Sequence, residues 1–402
     1  MNRNSGLFVL LAAAALAACG DGTGADDPRE ITLGGVFSLE GNWASLGVAS
    51  KAAMELAVED VNAYAAGRNI TFRADVRDTK LDPALALQAV ESLRRDGVRL
   101  VIGPQSSAEL AAIKPFVDAN EMVAVSQSST AGSLAVADRI FRLTPADSLE
   151  GVAMAALMFA DGVRSVVPAW RADAGNQGLQ AGTRRAFTGR GGTMSAGAEY
   201  ATNATSYAAT VTALGTQVRA ALATRTAAQV AVHLSAFDEA ADILALAAAD
   251  PVLASVRWYG ADGVTQSAAI AGRAPAAAFA ETVGFPAPTV GADPAARAKW
   301  EPLAARIRAR SGAEADAFAF GVYDAVWVAA HAYLASPADV RADSLAARFQ
   351  VAAGTYYGAT GWTVLNAAGD RREGIFDFWA IRSRTWTQVA SYDTRQGTLT
   401  RR

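Results

Sequence analysis

The chain has 402 residues, 51% of them hydrophobic, and its 36 Lys and Arg stand against 39 Asp and Glu for a formal net charge of −3. This length and apolar content suit two cores of ordinary size, and the near-balanced charge, with no basic stripe, excludes nucleic acid as a partner. A single cysteine excludes an internal disulfide and any cysteine-based zinc cluster.

The first element is an export signal over residues 1–18. Met1–Ser5 carries Arg3, and the apolar run Leu7–Ala17 is too short to span a bilayer as a mature helix. The string Leu16-Ala17-Ala18-Cys19 resembles the lipobox of bacterial lipoproteins, which implies a lipid on Cys19. An ordinary cleaved signal with an incidental cysteine is the other reading. Residues 19–30 are Gly, Asp, Thr, Ala and Pro in the main, a flexible tether between lipid and domain. No later apolar run is expected to reach membrane-spanning length. The body is therefore expected in the periplasm or cell envelope, anchored to a membrane through lipid alone.

Strands and helices then alternate. Ile31–Phe37 fits a buried strand. Met54, Ala57, Val58, Val61 and Ala65 share one face of an amphipathic helix. Thr71–Val76 alternates like a strand. Asp82-Pro83 starts a helix, with Asp as cap and Pro in the first turn. Ala86, Ala89, Val90 and Leu93 form its buried face, and Gly97 ends it. Leu100–Ile102 and Met122–Val125 are strands around a helix at Ser107–Asn120. A second block repeats the pattern: strands at Ser165–Val167, Val230–Leu234 and Val256–Tyr259, helices through Gly178–Phe187 and Ala240–Ala248. Phe318–Leu334 is a long apolar helix. Thr355–Arg384 turns β-rich, including Phe376–Ile381, and predicts a hairpin that finishes the second lobe. Such alternation indicates α/β architecture, mainly parallel sheets flanked by helices.

Several strings together resemble type I periplasmic solute-binding proteins, in the leucine/isoleucine/valine-binding branch of ABC importers. They are Ile31-Thr32-Leu33-Gly34-Gly35-Val36-Phe37, Glu55-Leu56-Ala57-Val58-Glu59-Asp60-Val61-Asn62, Asp78 with Asp82-Pro83, Asp96-Gly97-Val98, Val101-Ile102-Gly103-Pro104, Phe141-Arg142-Leu143-Thr144-Pro145-Ala146-Asp147 and Tyr323-Asp324-Ala325-Val326. The resemblance implies two lobes joined by three hinge crossovers. Residues 30–145 and 284–353 would form lobe one, and residues 146–283 and 354–402 lobe two. A small ligand would bind between them at the strand carboxyl ends, as is general for open α/β sheets, and hinge closure would bury it.

The candidate site residues follow the strands. Ser106-Ser107 lies between a strand and a helix start, which suits a ligand carboxylate, though N-capping needs the same residue types. The resemblance implies that Ser107 takes the carboxylate. Ser126-Gln127-Ser128-Ser129-Thr130 offers hydroxyls, or is an ordinary polar turn. The resemblance matches Thr130, and Gln127, Ser128 and Ser129 depart from the family's proline and alanines. Asp262, in Tyr259-Gly260-Ala261-Asp262-Gly263, corresponds to an acid that pairs with a ligand ammonium. A carboxylate in a cleft needs such a cation, although Asp before Gly is also common in turns. Leu46 stands before Gly47 where the family often has an aromatic, with Trp43 nearby. His233, Ser235, Ala236 and Phe237 replace a tyrosine-rich strand end, so the ligand need not be a branched-chain amino acid. Phe237 is expected to pack on it. His233 is either a contact or structural, and His331 is expected to be structural. The family's disulfide positions read Leu81 and Ser106.

No nucleophile elbow, His-Glu-x-x-His pair or phosphate-binding loop occurs, so neither an enzyme nor a cofactor or metal site is expected. The expected role is capture of an amino acid or similar polar molecule for ABC permease subunits, as a monomer. A ligand-sensing receptor component, or a binder of amides, urea or small aromatic acids, is the alternative.

Overall fold

The computed structural model describes residues 29–402. The signal, the tether and Cys19 lie outside the described residues.

The first sheet runs β2-β1-β3-β4-β5, all parallel. Its strands are β1 (Arg29–Phe37), β2 (Ile70–Asp78), β3 (Leu100–Ile102), β4 (Val123–Ser126) and β5 (Ile140–Arg142). The helices between them are α1 (Ala44–Tyr64), α2 (Pro83–Arg95) and α3 (Ser107–Ala119). Their starts follow local chemistry. The Asp82 carboxylate accepts from the Ala84 and Leu85 amides at 2.7 and 3.0 Å, with Pro83 in the first turn. Ser106 and Glu109 cap α3 reciprocally, the hydroxyl accepting from the Glu109 amide and the carboxylate from the Ser106 amide. Gly47 permits a close approach: a Cβ there would lie 1.7 Å from the Ser38 carbonyl oxygen.

The chain crosses once to the second lobe, through α4 (Asp147–Ala160). There β6 (Ser165–Arg171), β7 (Thr193–Met194), β8 (Ala198–Tyr200), β9 (Val230–Ser235) and β10 (Arg257–Gly260) form a parallel sheet, β10-β9-β6-β7, with β8 also on β6. Helices α5 (Ala174–Gly189), α6 (Ala208–Leu222), α7 (Ala240–Ala247), α8 (Pro251–Ala254), α9 (Ala268–Gly272) and α10 (Ala274–Val283) surround it. Strand β11 (Ala287–Val290) carries on from it, the Gly260 amide donating to the Pro286 carbonyl at 3.0 Å.

The chain then returns to lobe one. Helices α11 (Arg297–Ser311), α12 (Ala317–Leu334) and α13 (Ala342–Thr355) pack into its core, where Phe320, Val326, Leu345 and Phe349 join Leu33, Phe37 and Val61. Against the expectation, α12 is apolar and long enough to cross a membrane by length and composition. It is instead a core helix, mostly buried against α1 and the first sheet. A hairpin of β12 (Tyr357–Gly358) and β13 (Gly361–Trp362) hangs on Asp324 of α12. The chain crosses a third time into β14 (Ile375–Arg382), β15 (Thr385–Asp393) and β16 (Thr398–Arg401), an antiparallel sheet with β11. The β-rich run thus extends past Arg384 to Arg401.

Because β11 pairs with β14, and the β12–β13 hairpin with α12, the second and third crossings fall later than residues 284 and 354. All three crossings meet: a Cβ on Gly374 would lie 3.0 Å from Pro145 and 3.8 Å from Val290. The fully buried Arg142 guanidinium binds Asp370 at 2.5 Å and the Ala131 carbonyl at 2.6 Å beside this joint.

Asp324 is fully buried and accepts from the Ala359 amide at 2.8 Å, the Thr360 amide at 2.8 Å and the Thr360 hydroxyl at 2.6 Å. Asp324→Ala strands three donors, so urea unfolding should show a loss of about 3 kcal/mol. A loss below about 0.5 kcal/mol, within the range of ordinary surface changes, would show that the hairpin is held by other contacts.

Candidate ligand-binding site between the lobes

The carboxyl ends of β3 and β4 supply one wall. Ser106 is the cap of α3, so Ser107 is free to turn its hydroxyl across to the β4 loop. Ser107 Oγ accepts from the Thr130 amide at 3.2 Å and the Ala131 amide at 3.1 Å, and bonds to Ser129 Oγ at 3.0 Å. Ser128 Oγ donates to the Gln105 carbonyl at 2.8 Å. Ser126 Oγ donates to the Pro104 carbonyl at 2.7 Å and accepts from the Ser129 amide at 2.9 Å. Ser107, Ser128, Ser129 and Thr130 are thus brought together; the serine hydroxyls serve the loop itself, and the Thr130 hydroxyl acts on Asp147 of α4.

The aromatic residues meet across the two lobes. Trp43 stacks on Phe237 with ring centroids 4.5 Å apart and meets Phe318 edge-on at 6.2 Å. Leu46 and Leu81 lie in the same apolar cluster. Trp43 is held at φ +57°, in the left-handed region, a conformation that costs on the order of 1 kcal/mol and persists where packing over-determines it. Arg171, at the end of β6, sits 5.7 Å from the Phe237 ring.

His233 takes a different place from the one expected at the cleft. It lies within the second sheet, beside Pro168 of β6 and Tyr259 of β10. Burial lowers its pKa to about 4, and Nδ1 has no hydrogen-bond partner. It is a neutral interior imidazole.

The opposite wall is acidic. Asp262 follows β10 and is buried, and its amide donates to Glu150 Oε1 at 3.2 Å. Glu150 and Asp147 stand three residues apart in the first turn of α4, on one face. Asp147 is 3% exposed, and neither carboxylate oxygen has a partner of good hydrogen-bond geometry among the described residues, although the Thr130 hydroxyl and the Gly132 amide lie close enough to stabilise its charge. Gly178 of α5 makes room for it: a Cβ there would sit 2.0 Å from Asp147 Oδ2. Burial pushes Asp147 up to about 7, with Asp173 adding to the effect and the Thr130 hydroxyl, the Arg142 charge and the Gly132 amide opposing it. Burial also raises Glu150 and Asp262, each acting on this group of like charges. Asp316, the α12 cap from lobe one, accepts from the Ala319 amide at 2.9 Å, faces the same group and is pushed up to about 6 by burial.

A second cluster is balanced. Arg171 lies 3.0 Å from Asp173 and 3.5 Å from Glu239, and Tyr200 donates to Glu239 at 2.9 Å. Among the described residues no group of three or more His, Cys, Asp or Glu is arranged to hold a metal ion.

Sequence reasoning missed Asp147, Glu150 and Asp316. Acids at a helix start serve its dipole equally well, so only the contact with Gly178 singles out Asp147, and only their place beside Asp262 singles out Glu150 and Asp316.

The comparisons with known proteins agree with this architecture. The sequence profile of the family described as "Receptor family ligand binding region" matches residues 49–383. An uncharacterized protein of Methanocaldococcus jannaschii is 25% identical over 389 residues, 92% of this chain and 91% of that protein. A leucine binding protein of Thermotoga maritima superposes with a TM-score of 0.74 at 17% identity, over 91% of this chain and 99% of that one. A solute binding protein of R. palustris in complex with benzoate gives a TM-score of 0.73 at 17% identity, over 89% and 95%. At these identities the structural likeness establishes the fold.

Asp147 is harder to ionise folded than unfolded, where its value is near 3.8. Its contribution is therefore most favourable below that value and is lost as pH rises through about 7. Asp147→Asn should raise the melting temperature at about pH 8 by roughly 2–4 °C or more, and the gain should vanish near about pH 4. Equal melting curves at both pH values would show that Asp147 reaches solvent.

Proposed function

The chain belongs to the receptor family ligand binding region family, and from that membership and the cleft walls we propose that it is an extracytoplasmic solute-binding protein of an ABC importer. It captures an amino acid or similar amine-bearing molecule between its lobes. Cys19 carries a lipid anchor, and closed, loaded protein docks on permease subunits as a monomer. The lobes are those drawn from the sequence, 30–145 with 284–353 and 146–283 with 354–402, adjusted so that β11 joins lobe two and the β12–β13 hairpin joins lobe one.

One observation carries the reading: Asp262 is buried just after β10 with like charges around it and, among the described residues, no guanidinium or ammonium bound. A carboxylate taken from water into such a site is stabilised by a cation that donates hydrogen bonds. A ligand ammonium supplies both, and it also relieves the repulsion between Asp262 of lobe two and Asp316 of lobe one. Closure and binding are thereby coupled: the closed form is favoured to the extent that the ligand binds it more tightly than the open one.

Ser107 organises the β4 loop that faces the ligand, and Ser128, Ser129 and Thr130 line it. Trp43, Leu46 and Phe237 give the apolar contact. His233 supports the floor from inside the sheet. The R. palustris protein shows that this architecture accommodates an aromatic acid in a relative. The acidic wall here repels anions, which favours an amine or amide over an aromatic acid. Sensing for a separate receptor uses the same capture step.

A thermal-shift panel of amino acids, amines, amides, urea and aromatic acids tests the reading. A ligand of the folded state at a hundred times its Kd adds about 2.7 kcal/mol, a shift of several degrees that Asp262→Ala should abolish. Shifts with aromatic acids alone, unchanged in Asp262→Ala, would reject amine capture.

A further inference from the structure

We propose that the cleft binds a small organic dication, a diamine or a basic amino acid, with one cationic group on Asp262 and the second on Asp147 and Glu150. This rests on the amine-capture reading above and specifies its substrate class.

The argument is a balance of donors and acceptors. On the acceptor side, both oxygens of Asp147 are buried without a well-formed hydrogen bond, with only the Thr130 hydroxyl and the Gly132 amide nearby as donors, and Glu150 Oε1 receives only the Asp262 amide among the described residues. The nearby guanidinium groups are paired with other acids. Arg142 binds Asp370 through Nε and the Ala131 carbonyl through Nη1, and although its Nη2 has no partner among the described residues and its charge favours ionised Asp147, it forms no ion pair with Asp147; Arg171 is paired with Asp173 and Glu239. The positive end of α4 adds a favourable field, but Asp147 receives no hydrogen bond from it.

On the donor side the balance is reversed. The groups suited to a ligand carboxylate are the Thr130 and Ala131 amides and the hydroxyls of Ser107, Ser128 and Ser129. The amides already donate to Ser107 Oγ, and Ser128 donates to the Gln105 carbonyl. The site is short of cations and not of anions. One ammonium on Asp262 leaves the Asp147 and Glu150 carboxylates uncompensated. A second ammonium has three donors, enough for the two free oxygens of Asp147 and one of Glu150. Asp147 and Glu150 share a helix face, and Glu150 is tied to Asp262 through one hydrogen bond, so the two cation positions are contiguous but distinct.

Titration calorimetry of the purified chain with lysine, cadaverine and norleucine tests this. Lysine and norleucine share a carbon skeleton and an α-amino acid group, and differ by the terminal ammonium. Lysine or cadaverine should bind at least about tenfold tighter than norleucine, about 1.4 kcal/mol. Asp147→Asn should weaken the dication at least about tenfold, and Glu150→Gln serves if that variant fails to fold. Lysine above cadaverine identifies a basic amino acid, and the reverse a diamine. Norleucine binding as tightly as lysine, or dication affinity unchanged in both variants, overturns the proposal while leaving amine capture standing. No binding by any of the three, together with no shift in the amine panel, overturns both.

Discussion

A carboxylate removed from water needs a cation, a set of hydrogen-bond donors or a proton. At the junction of the two lobes Asp147 makes no ion pair and no well-formed hydrogen bond among the described residues, the Thr130 hydroxyl, the Gly132 amide and the Arg142 charge only partly offset its burial, and its neighbours Glu150 and Asp262 are acids. Asp316, carried by lobe one, adds its charge to the effect on Asp262 of lobe two. Every other feature of the cleft is arranged around that charge. The Trp43–Phe237 stack shuts water out, which strengthens both the repulsion when the site is empty of cations and the attraction when one is present. With Asp147 pushed up to about 7 and Asp262 to about 8, a proton is the partner the folded state itself takes up, and a bound cation would compete with it.

The two buried ion clusters show opposite solutions to the same problem. Arg142 with Asp370, and Arg171 with Asp173 and Glu239, are paired and fixed. Such pairs add little net stability over well-packed apolar groups, but removing one partner is costly. They hold the crossings and the end of β6 in place. The Asp147 group is unpaired and adjacent to them, so it sits on a rigid support while remaining chemically unsatisfied. A binding site needs both properties.

Much of the architecture was legible because its signals are local. Asp82-Pro83 declares a helix start within two residues, and Val230–Leu234 declares a buried strand by composition. The family resemblance then placed Ser107, Thr130 and Asp262 at strand ends, where the structure has them. What was not legible depends on distant pairs. Asp147 looks like any acid at a helix start until Gly178, thirty-one residues later, is found against its carboxylate. His233 ends a strand in the sequence pattern, yet β6 and β10 enclose it on both sides. Likewise α12 has a membrane helix's composition, and only its packing on α1 assigns it to a core. The readings of Ser106 and Ser107 as cap or contact could not be separated from sequence. The structure divides them, giving the cap to Ser106 and the loop to Ser107.

The meeting of the three crossings at Pro145, Val290 and Gly374 sets the geometry of motion. Links that converge on one small region act as a pivot, and displacement on rotation grows with the lever arm from its axis. Asp147 is only two residues from Pro145, so a rotation about this joint would leave it nearly stationary. Trp43 and Phe237, carried on opposite lobes, would be drawn apart by the same rotation. The acidic group thus stands at the fulcrum and the aromatic stack at the rim, so the charge would keep its place while the stack opened.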